Sequence, residues 1–206
     1  MSGVKEGILE GNGLTIRYAE SGEGQPVVVF PAGDGELFDD VAAELATHHR
    51  VIVLDVPASG MAKIQDFAEN LAHALARLSV ASFSVIGVSQ GAILALAQAV
   101  YTPEQVQRLV FLSPTLASVQ HPELGARLRE VKAPTLVLVG TRDRSGAREA
   151  GHICRAQIPA CHLLLVYDAG HAIAADRREA FLAPIGEFLE QGEGFIVFHD
   201  SQMIRP

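Results

Sequence analysis

Short runs of consecutive apolar residues recur along the chain: V-V-V-F (27–30), V-I-V-L (51–54), F-S-V-I-G-V (83–88), L-V-F-L (109–112), T-L-V-L-V (135–139) and L-L-L-V-Y (163–167). Each is brief, rich in β-branched residues and nearly free of polar positions. That is the pattern of strands buried on both faces of a parallel sheet. Upstream, residues 4–9 and 14–19 alternate polar with apolar and read as an antiparallel hairpin at the start of the sheet.

Between these runs the apolar period lengthens. Residues 64–78 bring Ile64, Phe67, Leu71, Leu75 and Leu78 to one face of an amphipathic helix. Residues 178–190 do the same with Phe181, Ile185, Phe188 and Leu189, and residues 147–157 also read as helical. Residues 90–100 (Q-G-A-I-L-A-L-A-Q-A-V) are apolar nearly all round, which predicts a central, buried helix. Buried strands alternating with helices define an α/β domain with a mostly parallel sheet and helices on both faces. No repeat, linker or low-complexity stretch divides the 206 residues, so a single domain is expected, with 194–206 as a C-terminal extension.

Composition narrows the function. The formal net charge is −8 and no basic stripe offsets it, so a nucleic-acid partner is not expected. The most apolar window, 84–100, is broken by Ser84, Gly87, Ser89, Gln90, Gly91 and Gln98, short of the run of about 20 apolar residues that a spanning helix needs. The first residues, M-S-G-V-K-E-G-I-L-E, carry no apolar stretch of the secretory kind. A cytoplasmic protein without membrane attachment is the expectation. Two cysteines, Cys154 and Cys161, are too few for a disulfide framework.

In open sheets of this kind, ligands bind outside the carboxyl ends of the strands. After 83–88 comes Gly87-Val88-Ser89-Gln90-Gly91, a Gly-x-Ser-x-Gly pentapeptide at a strand-to-helix junction. After 135–139 comes G-T-R-D with Asp143, and after 163–167 comes D-A-G-H with His171. A serine on a tight strand–turn–helix has its hydroxyl lifted clear of the sheet, and flanking glycines admit neighbouring backbone. The helix that follows offers free N–H groups where an oxyanion would form. Serine is a poor nucleophile at neutral pH and needs a base, which in turn needs a carboxylate to fix its tautomer.

At these residues the chain resembles the α/β-hydrolase family, over nearly its whole length. D-V-P-A-S-G (55–60) resembles a degraded form of the family's Asp-Leu-Pro-Gly-His-Gly turn, and F-A-E-N-L (67–71), L-V-F-L-S-P (109–114) and I-P followed by a strand and A-G-H (158–171) are also similar. The resemblance implies Ser89 as nucleophile, Asp143 as acid and His171 as base. Asp168 and Asp55 compete for the acid's place: Asp168 is expected at the end of its own strand, and Asp55 matches a structural turn residue. Ser113 follows a strand without flanking glycines and reads as a turn residue.

Two departures stand out. The family's His-Gly after the third strand is replaced by Pro31-Ala32-Gly33-Asp34-Gly35. The oxyanion donors implied are the backbone N–H groups of Gly33 and Gln90. A shift of one residue would place Asp34 there, where its carboxylate would oppose the developing charge; the alternative is that Asp34 caps a helix starting near Glu36. Second, only about twenty residues separate the strands ending near 113 and beginning near 134, room for one short helix rather than a lid. Such a site is shallow and wet, suited to accessible acyl substrates.

His152, Cys154, Cys161 and His162 have no spacing that suits a metal, and packing is the expected role. The segment 194–206 either packs on its own domain or pairs with another chain at a sheet edge, which would make a homodimer. The sequence leaves both open. The reading is a serine hydrolase of carboxylic esters or related acyl bonds (thioesters and lactones use the same machinery), acting on a small-molecule acyl substrate with no cofactor and no metal. Haloperoxidase or perhydrolase chemistry occurs on such triads by family analogy. A non-catalytic binding protein on the same fold is the rival from another class. A nucleotide-dependent enzyme is disfavoured by the absence of a Gly-x-Gly-x-x-Gly or phosphate-binding Lys loop.

Overall fold

The structure is a computed structural model describing residues 3–11, 13–31, 39–56, 63–115, 121–192, 194 and 203–204. The apolar runs form the strands. In chain order they are β1 (Lys5–Gly11), β2 (Leu14–Ser21), β3 (Gln25–Phe30), β4 (His49–Asp55), β5 (Phe83–Val88), β6 (Val106–Leu112), β7 (Thr135–Gly140), β8 (Cys161–Val166) and β9 (Met203–Ile204). They make one sheet in the order β1-β2-β4-β3-β5-β6-β7-β8-β9. The hairpin β1–β2 is antiparallel and joins β4 antiparallel; every other pairing is parallel.

The helices are α1 (Asp39–Leu45), α2 (Ile64–Arg77), α3 (Gly91–Tyr101), α4 (Pro122–Gly125), α5 (Ala147–Gln157), α6 (Ile173–Asp176) and α7 (Arg178–Gln191). Strand alternation sorts them into two layers. Val28 and Phe30 of β3 face a core shared with Phe67, Leu71 and Leu75 of α2 and with Ala92, Ala95 and Leu96 of α3. Val27 and Val29 face the other core, with Val41 and Leu45 of α1 and Phe181, Ile185 and Phe188 of α7. All six residues of β7 are buried, as expected of a strand covered on both faces. In α3, Gln98 is fully buried yet satisfied, because its side chain donates to Ala68 O at 3.3 Å and accepts from Thr102 Oγ1 at 3.1 Å.

Two expectations change, and one point left open finds an answer. The β6–β7 connection holds two short turns of helix, α4 and a 3₁₀ turn at Leu128–Glu130, instead of one helix. Asp168 lies beyond the end of β8, in a turn at φ 57°, rather than on the strand. The C-terminal segment meets its own sheet: Met203 and Ile204 pair with Leu165 and Val166 of β8. Among the described residues no helix is long and apolar enough to cross a membrane.

Candidate active site

The chain leaves β5 and enters α3 through Ser89, whose φ of 49° is left-handed, a conformation that costs a non-glycine residue about 1–3 kcal/mol. Backbone hydrogen bonds hold it there. Ser89 N–H donates to Leu112 O at 2.9 Å, and Ser89 O accepts from Thr115 N at 3.0 Å and Ala92 N at 3.2 Å. The flanking glycines are required by close approach. A Cβ on Gly87 would stand 2.5 Å from Ala92 Cα, and one on Gly91 would overlap Phe30 O. The elbow therefore fits only with hydrogen at both positions, and Ser89 is projected from the carboxyl end of β5.

The next two groups come from the ends of β7 and β8, and the turns that carry them are fastened to each other. Thr141 N donates to Val166 O at 2.9 Å, Arg142 N to Ala169 O at 2.8 Å, and Asp168 N to Thr141 Oγ1 at 3.0 Å. Gly140 packs so closely on Ala169 and Gly170 that a Cβ would overlap both carbonyls. Gly170 N is held by Asp176 Oδ2 at 2.7 Å. His171 is thereby fixed with Nε2 at 2.9 Å from Ser89 Oγ and Nδ1 at 2.9 Å from Asp143 Oδ2.

The Asp143 side chain has no exposed surface, while that of His171 is 39% exposed. Burial by itself pushes the Asp143 pKa up; hydrogen bonds from the Ser145 hydroxyl and amide, and from His171, outweigh it and hold the carboxyl below its ordinary value. Asp143 is thus an acceptor, which puts the proton of the imidazole on Nδ1 and leaves Nε2 to accept from the Ser89 hydroxyl. Ser145 is the residue the sequence reading missed. Its N–H and O–H donate to Asp143 Oδ1 at 2.7 and 2.6 Å, and its oxygen lies 3.0 Å from His171 Nδ1. The arrangement is an Asx turn, in which the Asp143 side chain accepts from the amide two residues on. Thr115, also missed, sets its hydroxyl 3.3 Å from Ser89 Oγ.

The competing carboxylates are elsewhere. Asp168 pairs with Arg142 Nε at 3.2 Å, and Asp55 is exposed at the end of β4 beside Arg17. Ser113 is a buried turn residue at φ 41° whose N–H donates to Leu138 O. Gln90 stands at the head of α3 with helical backbone, where amides lack intrahelical partners. Gly33 and Asp34, and most of the 55–60 turn, lie outside the described residues. Cys154 and Cys161 are buried, and burial pushes both thiols up to about 12, which keeps them protonated and inert. Among the described residues no group of three or more His, Cys, Asp or Glu side chains is arranged to hold a metal ion.

A family profile described as the alpha/beta hydrolase fold matches residues 25–126, the stretch that contains the elbow. A carboxylesterase of Bacillus subtilis superposes with a TM-score of 0.77 at 15% identity, covering 92% of each chain. This chain has the α/β-hydrolase fold. Among curated relatives, the (E)-2-((N-methylformamido)methylene)succinate hydrolase of Acinetobacter baylyi is 27% identical over 111 residues, 50% of this chain and 42% of that protein. The 2-hydroxy-6-oxononadienedioate/2-hydroxy-6-oxononatrienedioate hydrolase 2 of Pseudomonas putida is 35% identical over 71 residues, 34% of this chain and 25% of that one. The chain spans less than half the length of these two relatives that it matches.

Proposed function

We propose that the protein is a serine hydrolase that cleaves carboxylic esters or related acyl bonds with Ser89, His171 and Asp143. The observation that carries this reading is the pair of 2.9 Å contacts that link the Ser89 hydroxyl through the imidazole to a buried carboxylate. Relatives named as hydrolases support the reaction class. In this mechanism His171 Nε2 takes the Ser89 proton as the oxygen attacks the substrate carbonyl. The backbone N–H groups of Gln90 and Gly33 are the proposed donors to the oxyanion. His171 then gives its proton to the leaving alcohol, and activates a water that releases the acid and restores Ser89. No step requires a metal or an organic cofactor.

The test is labelling with a fluorophosphonate, followed by a panel of para-nitrophenyl esters. The expected result is labelling at Ser89, turnover of at least one ester, and loss of both in Ser89→Ala. An unlabelled, inactive wild-type protein with a normal melting transition would instead support the rival, a binding protein on this fold.

A further inference from the structure

Beside the triad lies a cavity of about 280 Å³, walled by Ile93 and Leu96 of α3, Leu124 and Gly125 of α4, and Ala150 and Ile153 of α5. Two further lining residues join it to the chemistry. Thr115 touches the Ser89 hydroxyl, and Ser145 touches His171 Nδ1. Most of this wall is aliphatic, and Ile153 is among the exposed large hydrophobic residues. A leaving group must sit against Nε2 to receive its proton. The cavity reaches the imidazole from the Nδ1 side, so it suits the part of the substrate that remains on Ser89.

Among the described lining residues, Glu149 is the one carboxylate and His121 the one basic group. The Nδ1 of His121 lies 3.1 Å from Glu123 Oε1. The nearby arginines are engaged elsewhere: Arg142 with Asp168, Arg148 with Thr141 O, and Arg127 with Glu130 and the face of Tyr101. Arg144 is exposed and does not line the cavity. A net charge of −8 adds a repulsive field at longer range.

Resting on the hydrolase reading above, we propose that this cavity is an acyl subsite for an uncharged aliphatic chain of modest length, with Glu149 rejecting acyl groups that carry a second carboxylate. The aliphatic wall favours each added methylene, and a carboxylate brought into the cavity would meet Glu149 with no lysine or arginine among the described lining residues to compensate.

The test is kcat/KM for para-nitrophenyl acetate, butyrate, hexanoate and hydrogen succinate, on the full chain. Wild type should use butyrate at least about tenfold better than hydrogen succinate, which has the same acyl length. Glu149→Arg should raise the succinate-to-butyrate ratio by about tenfold or more. A Cβ on Gly125 meets nothing within 4 Å, so a side chain can start there without a clash; Gly125→Phe should lower the hexanoate-to-acetate ratio about tenfold by narrowing the cavity. Fluorophosphonate labelling at Ser89 together with wild-type hydrolysis of hydrogen succinate as fast as butyrate overturns the subsite and leaves the hydrolase standing. So do ratios that neither variant moves. No labelling and no turnover of any ester removes both. Should a variant fail to fold, the wild-type ratio alone decides.

Discussion

At the scale of single residues, the site rests on a carboxylate that is fully buried and yet ionised. Asp143→Asn keeps the shape but reverses the donor on Nδ1, so turnover should fall by about 10⁴-fold. Asp168→Asn, which breaks only an exposed pair with Arg142, should change it little. Ester turnover of the two variants, with thermal melts beside it, checks the assignment. Ser145→Ala removes one of two donors to Asp143 Oδ1 and should cost about 1.5–3 kcal/mol near neutral pH, with Ser145→Thr restoring much of it. The sign with pH follows from the depressed carboxyl. Its contribution to stability is complete above the unfolded-chain value of about 3.9 and is lost as pH falls through the lower folded value. The gap between wild type and Ser145→Ala should therefore narrow in melts carried below about pH 4. Asp143 and His171 were legible in sequence as candidates because each follows an apolar run. Ser145 was not, because its role depends on how the Asp143 turn closes, and apolar periodicity carries no information about a turn between polar residues.

At the scale of elements, the strand–elbow–helix unit tolerates almost no added volume. Gly91→Ala would drive a methyl group into the backbone of β3, which cannot rotate aside as a side chain can. The expected outcome is a loss of at least about 2 kcal/mol in a denaturant melt, accompanied by weaker fluorophosphonate labelling because Ser89 shifts with α3. The buried strands and amphipathic helices were read from sequence to within a few residues, since uninterrupted apolar runs and one-sided 3.6-residue periods have few other solutions. The polar connections were not. Asp168 was expected on β8, but the strand stops at Val166 and the turn places the side chain against Arg142. The β6–β7 connection breaks into two helical turns, and its residues are mostly small or polar, with no sustained period to signal where either begins.

At the scale of the whole molecule, the response to mild acid should be set far from the triad. His49 is buried at the start of β4, at the amino end of the sheet, and its Nδ1 has no hydrogen-bond partner among the described residues. Burial lowers its pKa from 6.5 and outweighs the attraction of Glu190. The unfolded chain then takes up this proton before the folded one does. Stability should fall as pH drops from about 6.5 toward the folded value, and level off below it. His49→Leu, which removes an unsatisfied group along with the titration, should flatten that part of the melting-temperature profile between pH 7 and 5. The sheet order has a different consequence. Ser89, Asp143 and His171 ride on β5, β7 and β8, and β3 must insert between β4 and β5 before the elbow has Phe30 to pack on. No segment of the chain can form the site alone. Nascent helices and the β1–β2 hairpin can assemble early from local contacts, but the contacts of Ser89 with His171 and of His171 with Asp143 must wait for the parallel pairings that close long loops, which are the slow ones. Assembly of the site is therefore a late event in the life of each newly made chain, and a partly folded molecule carries Ser89, Asp143 and His171 without bringing them together.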